Sequence, residues 1–180
     1  MLYSFSRSRV AWALLTLGAT LLLITALFFQ YVQGYQPCVM CVYQRAALLG
    51  VLLAGLLGWL NPAHLWLRSG ALLLWLASSV EGLLLAREHV GYQLNPSPFN
   101  VCTSFAEFPT WLPLDRWLPW LFNPTGDCAS IDWSWLGWSM PQWLFGIYAL
   151  LTGLATLFIL IQLTGRHSAK RIRNYTKQIK

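Results

Sequence analysis

C-V-M-C-V-Y-Q-R-A-A-L-L-G-V-L-L-A-G-L-L-G-W-L, residues 38–60, decides the fold of this chain. Two cysteines and one arginine lead a run that holds no charge from Ala46 to Leu60. A helix needs roughly 20 mainly apolar residues to cross the hydrocarbon core of a bilayer. Backbone groups in lipid must be satisfied within the segment, so such a run is a helix. Three more runs of that kind flank it, giving expected transmembrane helices at about 10–29, 42–60, 65–86 and 142–163. The 180 residues are 57% hydrophobic and 10% charged. A soluble domain carries about a quarter charged residues, which excludes a water-soluble globule. The expected fold class is an all-α membrane protein: one membrane domain over 1–180, a four-transmembrane-helix bundle with a short loop at 30–41, a long loop at 87–141 and a tail at 164–180. Arg7 and Arg9 precede the first run in the manner of a secretory signal. That run is too long for a typical signal core and no small-residue cleavage site follows, so it reads as a retained anchor.

The basic residues set the orientation. Arg7, Arg9, Arg68, Arg166, Lys170, Arg171, Arg173, Lys177 and Lys180 fall on one side of the four runs, with no acidic residue among them. The long loop carries Arg87 and Arg116 against Glu88, Glu107, Asp115, Asp127 and Asp132, a net charge of −3. The positive-inside rule puts both termini in the cytoplasm. The basic tail beside a helix end meets anionic lipid headgroups rather than nucleic acid. All four cysteines then lie outside the cytoplasm, where disulfides persist, and four cysteines allow three pairings.

Seven of the eleven tryptophans lie between Arg87 and Trp143, which argues against a freely solvated loop. Trp111, Trp117 and Trp120, with Leu112, Leu114, Leu118, Leu121 and Phe122, predict a short apolar-faced helix around Asp115 and Arg116. Tryptophan favours the headgroup zone, and such a helix can lie in the interface plane. That would keep Cys102 and Cys128 close to the surface where Cys38 and Cys41 sit.

A lone C-x-x-C is shared by metal, structural and redox sites. Haem attachment requires a following His, and Val42 stands there. Cys102 and Cys128 are too far apart for the close pairs of a four-cysteine zinc site, so no metal is expected. Two structural bridges stapling the loops stay open as a reading. Arg45 favours a redox reading. It lies one turn beyond Cys41 on the same helix face, about 6 Å into the membrane end at 1.5 Å per residue. A charge within a membrane helix is costly and by default functional, although an arginine so near the end can also snorkel to the headgroups. The helix dipole and the guanidinium both favour a reactive thiolate at Cys41. Arg45 also suits negative charge on the oxygen of a quinone ring. His89 reads equally as an interfacial hydrogen-bonder or a donor to a quinone carbonyl. Glu81, about two turns inward, can pair with Arg45 if the helices pack at matching depth, or hydrogen-bond between helices as a protonated acid.

The chain resembles the bacterial disulfide bond formation protein B (DsbB) family over nearly its whole length. The resemblance rests on P-C-V-M-C-V-Y-Q-R at 37–45, E-H-V-G-Y-Q-L-N-P-S-P-F at 88–99, the following Cys102, W-L-P-L-D at 111–115, G-D-C at 126–128 and M-P-Q-W at 140–143. Gln44 is a departure, since the family often has an acidic residue before the Arg. The resemblance implies an inner-membrane protein-dithiol:quinone oxidoreductase with redox-active disulfides Cys38–Cys41 and Cys102–Cys128 and with the cysteines in the periplasm. It implies oxidation of a DsbA-like thioredoxin-fold partner through attack at Cys102. Cys128 then engages Cys38, and Cys41 faces a ubiquinone or menaquinone held by Arg45 and His89 and reoxidised by the respiratory chain. Thiol exchange through successive mixed disulfides is the chemistry such a relay requires. A vitamin K epoxide reductase-like protein is the nearest enzyme alternative, but there the membrane-adjacent C-x-x-C starts the last core helix. A noncatalytic membrane scaffold with two structural disulfides is the alternative from another class.

Overall fold

A computed structural model of the chain describes residues 7–95, 102–103 and 105–178, with side chains as far as Thr164. Four long helices dominate: α1 (Arg9–Tyr31), α2 (Val39–Leu60), α3 (Leu65–Leu94) and α6 (Met140–Gln178). Each contains a stretch long and apolar enough to span a membrane, the last within Met140–Thr164. Between α3 and α6 lie two four-residue turns, α4 (Leu114–Trp117) and α5 (Pro119–Phe122), and a two-stranded antiparallel hairpin, β1 (Ser134–Trp135) with β2 (Trp138–Ser139). The all-α membrane bundle expected from the sequence is the fold observed.

Local chemistry explains where the helices begin. Ser8 caps α1, its Oγ accepting from the Ala11 N–H at 3.3 Å. Cys38 caps α2 in the same way through its sulfur, which accepts from the Cys41 N–H at 3.3 Å. Pro141 stands in the first turn of α6, where its missing N–H costs nothing. The helices then pack in a chain, α1 on α2, α2 on α3 and α3 on α6. Without water to drive association, small residues and close packing hold membrane helices together. Gly58 lies against the Trp12 ring and Gly82 against the Tyr148 ring, so closely that a Cβ at either place would overlap the aromatic. Trp12 and Trp75 meet edge-on at 6.2 Å between ring centres, and Phe158 continues the stack at 5.6 Å from Trp75.

Several boundaries differ from the sequence reading, each for a physical reason. Helix α3 continues two turns past 86, because its last polar residues find protein partners instead of water: Gln93 donates to the Ser130 carbonyl and accepts from the Ser139 hydroxyl. Helix α6 starts at Met140 and runs on through the expected tail. The basic side chains of that tail, Lys180 and residues 96–99 of the second motif lie outside the described residues. Arg68, counted among the charges of the cytoplasmic side, makes its contacts inside the protein. It is buried in the first turn of α3, donating to Gln162 Oε1 at 2.9 Å and to the Pro62 carbonyl at 3.0 Å. The single short helix expected around Asp115 is split at Leu118–Pro119, since Pro119 has no N–H to continue the ladder. The tryptophans and leucines expected together on its apolar face part company: Leu114, Leu121 and Phe122 are buried, while Trp111, Trp117 and Trp120 face outward. The hairpin turns through Leu136 and Gly137, both at positive φ (53° and 80°).

Candidate thiol redox site

The site begins with the helix start at Cys38. A C-x-x-C opening a helix brings its two sulfurs onto one turn, and here they stand 3.0 Å apart, with the Cys38 thiol donating to Cys41. Both are free cysteines. Cys38 is only 2% exposed. The hydrogen bond to Cys41, reinforced by burial, pushes its thiol well above the usual range.

The second pair is brought to the first by backbone contacts. The Pro37 carbonyl, immediately before Cys38, accepts from the N–H groups of Thr125 (2.8 Å) and Gly126 (3.0 Å). Gly126 passes so close to the Gln36 carbonyl that a Cβ there would collide with it. Two residues on, Cys128 is 1% exposed and packs in one cluster with Cys38, Val39 and Met40. Its disulfide partner is Cys102, with the Cα atoms 6.2 Å apart. Cys102 is half-buried and packs against the same cluster, so it is the more exposed end of the bridge, with Cys128 enclosed beside Cys38. Two further ties hold the segment: Tyr31 donates to the Trp120 carbonyl at 2.6 Å, and the Glu107 N–H donates to the Tyr43 hydroxyl at 2.8 Å.

Arg45 does not snorkel. It is 7% exposed and its guanidinium donates to Gln30 Oε1 at 2.6 Å, the Leu121 carbonyl at 3.1 Å and the Ala26 carbonyl at 3.3 Å. One cation thus ties α1, α2 and α5 together. Its pairing with Glu81 is not realised. Arg45 turns from α2 toward α1, whereas Glu81 is exposed and lines a shallow depression with Tyr43, Ala46 and Ser78.

His89 is buried and reaches the cysteines directly. Its Nε2 lies 3.5 Å from Cys38 Sγ and its Nδ1 3.4 Å from Gln44 Nε2, and the ring is also hydrogen-bonded to the Cys128 backbone. Gln44 is 2% exposed, and its backbone carbonyl accepts from the Tyr148 hydroxyl at 2.6 Å. Gln30, Gln44 and Tyr148 carry the site's scaffolding, and no role was read for them in the sequence. A polar side chain in an otherwise apolar membrane helix was the available signal.

Cys38, Cys41, Arg45 and His89 all line one cavity. It lies between α1 and α6, which pack on α2 and α3 rather than closely on each other. Phe29, Leu48 and Leu144 supply apolar walls, while Asp127 and Asp132 stand on the loop side.

Four membrane helices, a buried dithiol and a loop disulfide packed against it define a membrane protein built for thiol–disulfide chemistry. Comparison with known proteins carries this further. Residues 8–158 match the family described as disulfide bond formation protein DsbB. A disulfide bond formation protein B of Aeromonas salmonicida is 62% identical over 141 residues, which is 78% of this chain and 82% of that protein. Its namesake in Psychromonas ingrahamii is 52% identical over 158 residues (88% and 85%), and that of Pectobacterium atrosepticum 52% over 157 (87% and 89%). The chain belongs to the DsbB family of membrane oxidoreductases of disulfide bond formation.

Proposed function

We propose that this protein oxidises the dithiol of a DsbA-like thioredoxin-fold partner in the periplasm and delivers the electrons to a membrane quinone, ubiquinone or menaquinone, of the respiratory pool. The observation that carries this reading is the packing of Cys128 against Cys38, with half-buried Cys102 the more exposed end of the bridge. A thiolate of the partner reaches Cys102, and the S–S bond breaks with its electron pair on Cys128. Cys128 attacks the neighbouring Cys38 of the oxidised Cys38–Cys41 pair, which leaves Cys41 as the thiolate on the cavity. These two steps each exchange one S–S bond for another; the partner's second thiolate then displaces Cys102 and leaves as the disulfide, Cys102 recaptures Cys128, and the freed Cys38 re-forms its bond with Cys41. That last bond is the one net S–S bond made, and its two electrons pass with two protons to a bound quinone as quinol. The positive-inside rule supports cytoplasmic termini in the bacterial inner membrane, with all four cysteines on the periplasmic face.

The cavity residues fit a quinone. Its apolar walls match a ring carrying an isoprenoid tail, and its polar end combines a sulfur with the cation of Arg45 and the imidazole of His89. A bound quinone supplies a lipid-soluble two-electron acceptor. Arg45, fixed by three acceptors, orients and stabilises negative charge beside Cys41 without having to reorganise. The bundle over residues 1–180 acts as a single unit in this reading. The test is quinol formation by the purified protein given the reduced partner: the reading requires it, and its absence with all four cysteines intact rules the reading out.

A further inference from the structure

Cys38, Cys41 and His89 bring two sulfurs and a ring nitrogen within 4.8 Å of one another. Two thiolates and an imidazole in that compass are a donor set for a borderline or soft divalent ion, with a fourth tetrahedral position left for water. Tetrahedral bonds of about 2.3 Å set two sulfurs roughly 3.8 Å apart. The observed 3.0 Å therefore opens by less than an ångström, within the reach of a small side-chain rotation of Cys41.

Gln44 provides an independent observation. Its Oε1 is buried without a hydrogen-bond partner, while its Nε2 lies beside His89 Nδ1. Carboxamide orientation is assigned from hydrogen bonding, and turning this group over exchanges the unpartnered oxygen for the amide nitrogen while giving Oε1 the ring N–H as a donor. The turned Oε1 accepts from Nδ1–H, which places the lone pair on Nε2, 3.5 Å from Cys38 Sγ, and the ring's hydrogen bond to the Cys128 backbone gives way when an ion binds. Metal-binding histidines characteristically donate their other N–H to such an oxygen. A route for a cation is also present, since Asp127 and Asp132 line the loop side of the same cavity.

We propose that the reduced Cys38–Cys41 pair and His89 form a binding site for a thiophilic divalent cation of the zinc and cadmium class, which holds the dithiol out of electron transfer. The ion bonds to both sulfurs and to Nε2, the thiol protons leave to solvent, and no electron moves. The oxidised pair has no thiolate to offer and does not bind. Two thiolates neutralise the ion, and Arg45 keeps its own acceptors on Gln30, Ala26 and Leu121. The site depends on the geometry of the reduced pair alone, so it stands or falls separately from the identity of the quinone or the protein partner.

The test uses the full chain in detergent with Cys102→Ser and Cys128→Ser, so that only Cys38 and Cys41 can offer thiols. Anaerobic titration with Cd²⁺ should give one ion per reduced chain, seen as sulfur-to-cadmium charge-transfer absorption, and none for the disulfide form. His89→Ala should weaken binding at least as much as Gln44→Leu, for which about 10–100-fold is the usual effect of losing a residue that orients a ligand. In the reduced wild-type protein, Zn²⁺ should slow alkylation of Cys38 and Cys41 while Cys102 stays reactive. No charge-transfer band, a Cd²⁺ affinity indifferent to His89→Ala in a folded variant, or unprotected Cys38 and Cys41 would each overturn the site.

Discussion

The two cysteine pairs solve the placement of two sulfurs in opposite ways. Cys38 and Cys41 are three residues apart on one helical turn, so the geometry of α2 alone fixes them, with Cys38 buried and Cys41 half-buried on the cavity. Cys102 and Cys128 are 26 residues apart in a segment whose regular pieces, among the described residues, are two short turns and a hairpin. Their position depends on ties to the bundle: Pro37 with Thr125 and Gly126, Tyr31 with Trp120, and Tyr43 with Glu107. A rigid, enclosed pair suits a small ligand that must meet one sulfur at a fixed distance. A tied but irregular segment whose bridge is more exposed at Cys102 than at Cys128 suits a protein partner. On the proposed relay, the junction between the pairs, where Gly126 meets Gln36 and Cys128 meets Cys38, is expected to set the rate of transfer between them.

The largest effect should come from breaking the rigid end. Cys41→Ser is expected to abolish turnover with quinone, while a single exchange between reduced partner and Cys102 proceeds, as followed by trapping the mixed disulfide. Next, Gly126→Val should push the loop from Gln36 and separate Cys128 from Cys38. Since misplacing reacting groups by about 1 Å can cost roughly a hundredfold, transfer between the pairs should slow by about that factor in rapid-quench experiments, with the first exchange at Cys102 unchanged. An unaltered inter-pair rate would show that the junction is not what sets the distance. Arg45→Ala removes hydrogen bonds from a charged donor, each worth about 1.5–3 kcal/mol, so the apparent KM for quinone should rise roughly tenfold to a hundredfold. An unchanged quinone dependence would leave Arg45 a purely structural tie. The smallest effect belongs to Tyr148→Phe. Loss of one interhelical hydrogen bond averages about 0.6 kcal/mol in membrane proteins, so thermal stability should fall slightly with turnover nearly intact.

The bundle was legible because lipid imposes a simple rule: each span needs an unbroken apolar run, and 38–60 shows one directly. Cys38, Cys41 and Arg45 were legible for the converse reason, as reactive or charged groups at the head of such a run, whereas the pairing of Cys102 with Cys128 came from the family resemblance. What escaped were features decided by partners distant in sequence. The extension of α3 depends on Ser130 and Ser139 meeting Gln93, and the burial of Arg68 depends on Gln162 arriving from α6. The side to which Arg45 turns was equally hidden, since its acceptors come from α1 and α5 and not from Glu81. The break at Pro119 could be read from the sequence. The hairpin could not be foreseen as readily, because Leu136 occupies a left-handed position that usually calls for Gly or Asn.

The direction of flow, from the tied pair to the rigid one, is tested most directly by trapping the bond that joins them. In Cys102→Ser the thiol of Cys128 is free beside an oxidised Cys38–Cys41 pair. Acid quenching, alkylation and peptide mass spectrometry should find Cys128 linked to Cys38 with Cys41 alkylated. A Cys128–Cys41 linkage, or Cys128 left free beside an intact Cys38–Cys41 bond, would contradict it.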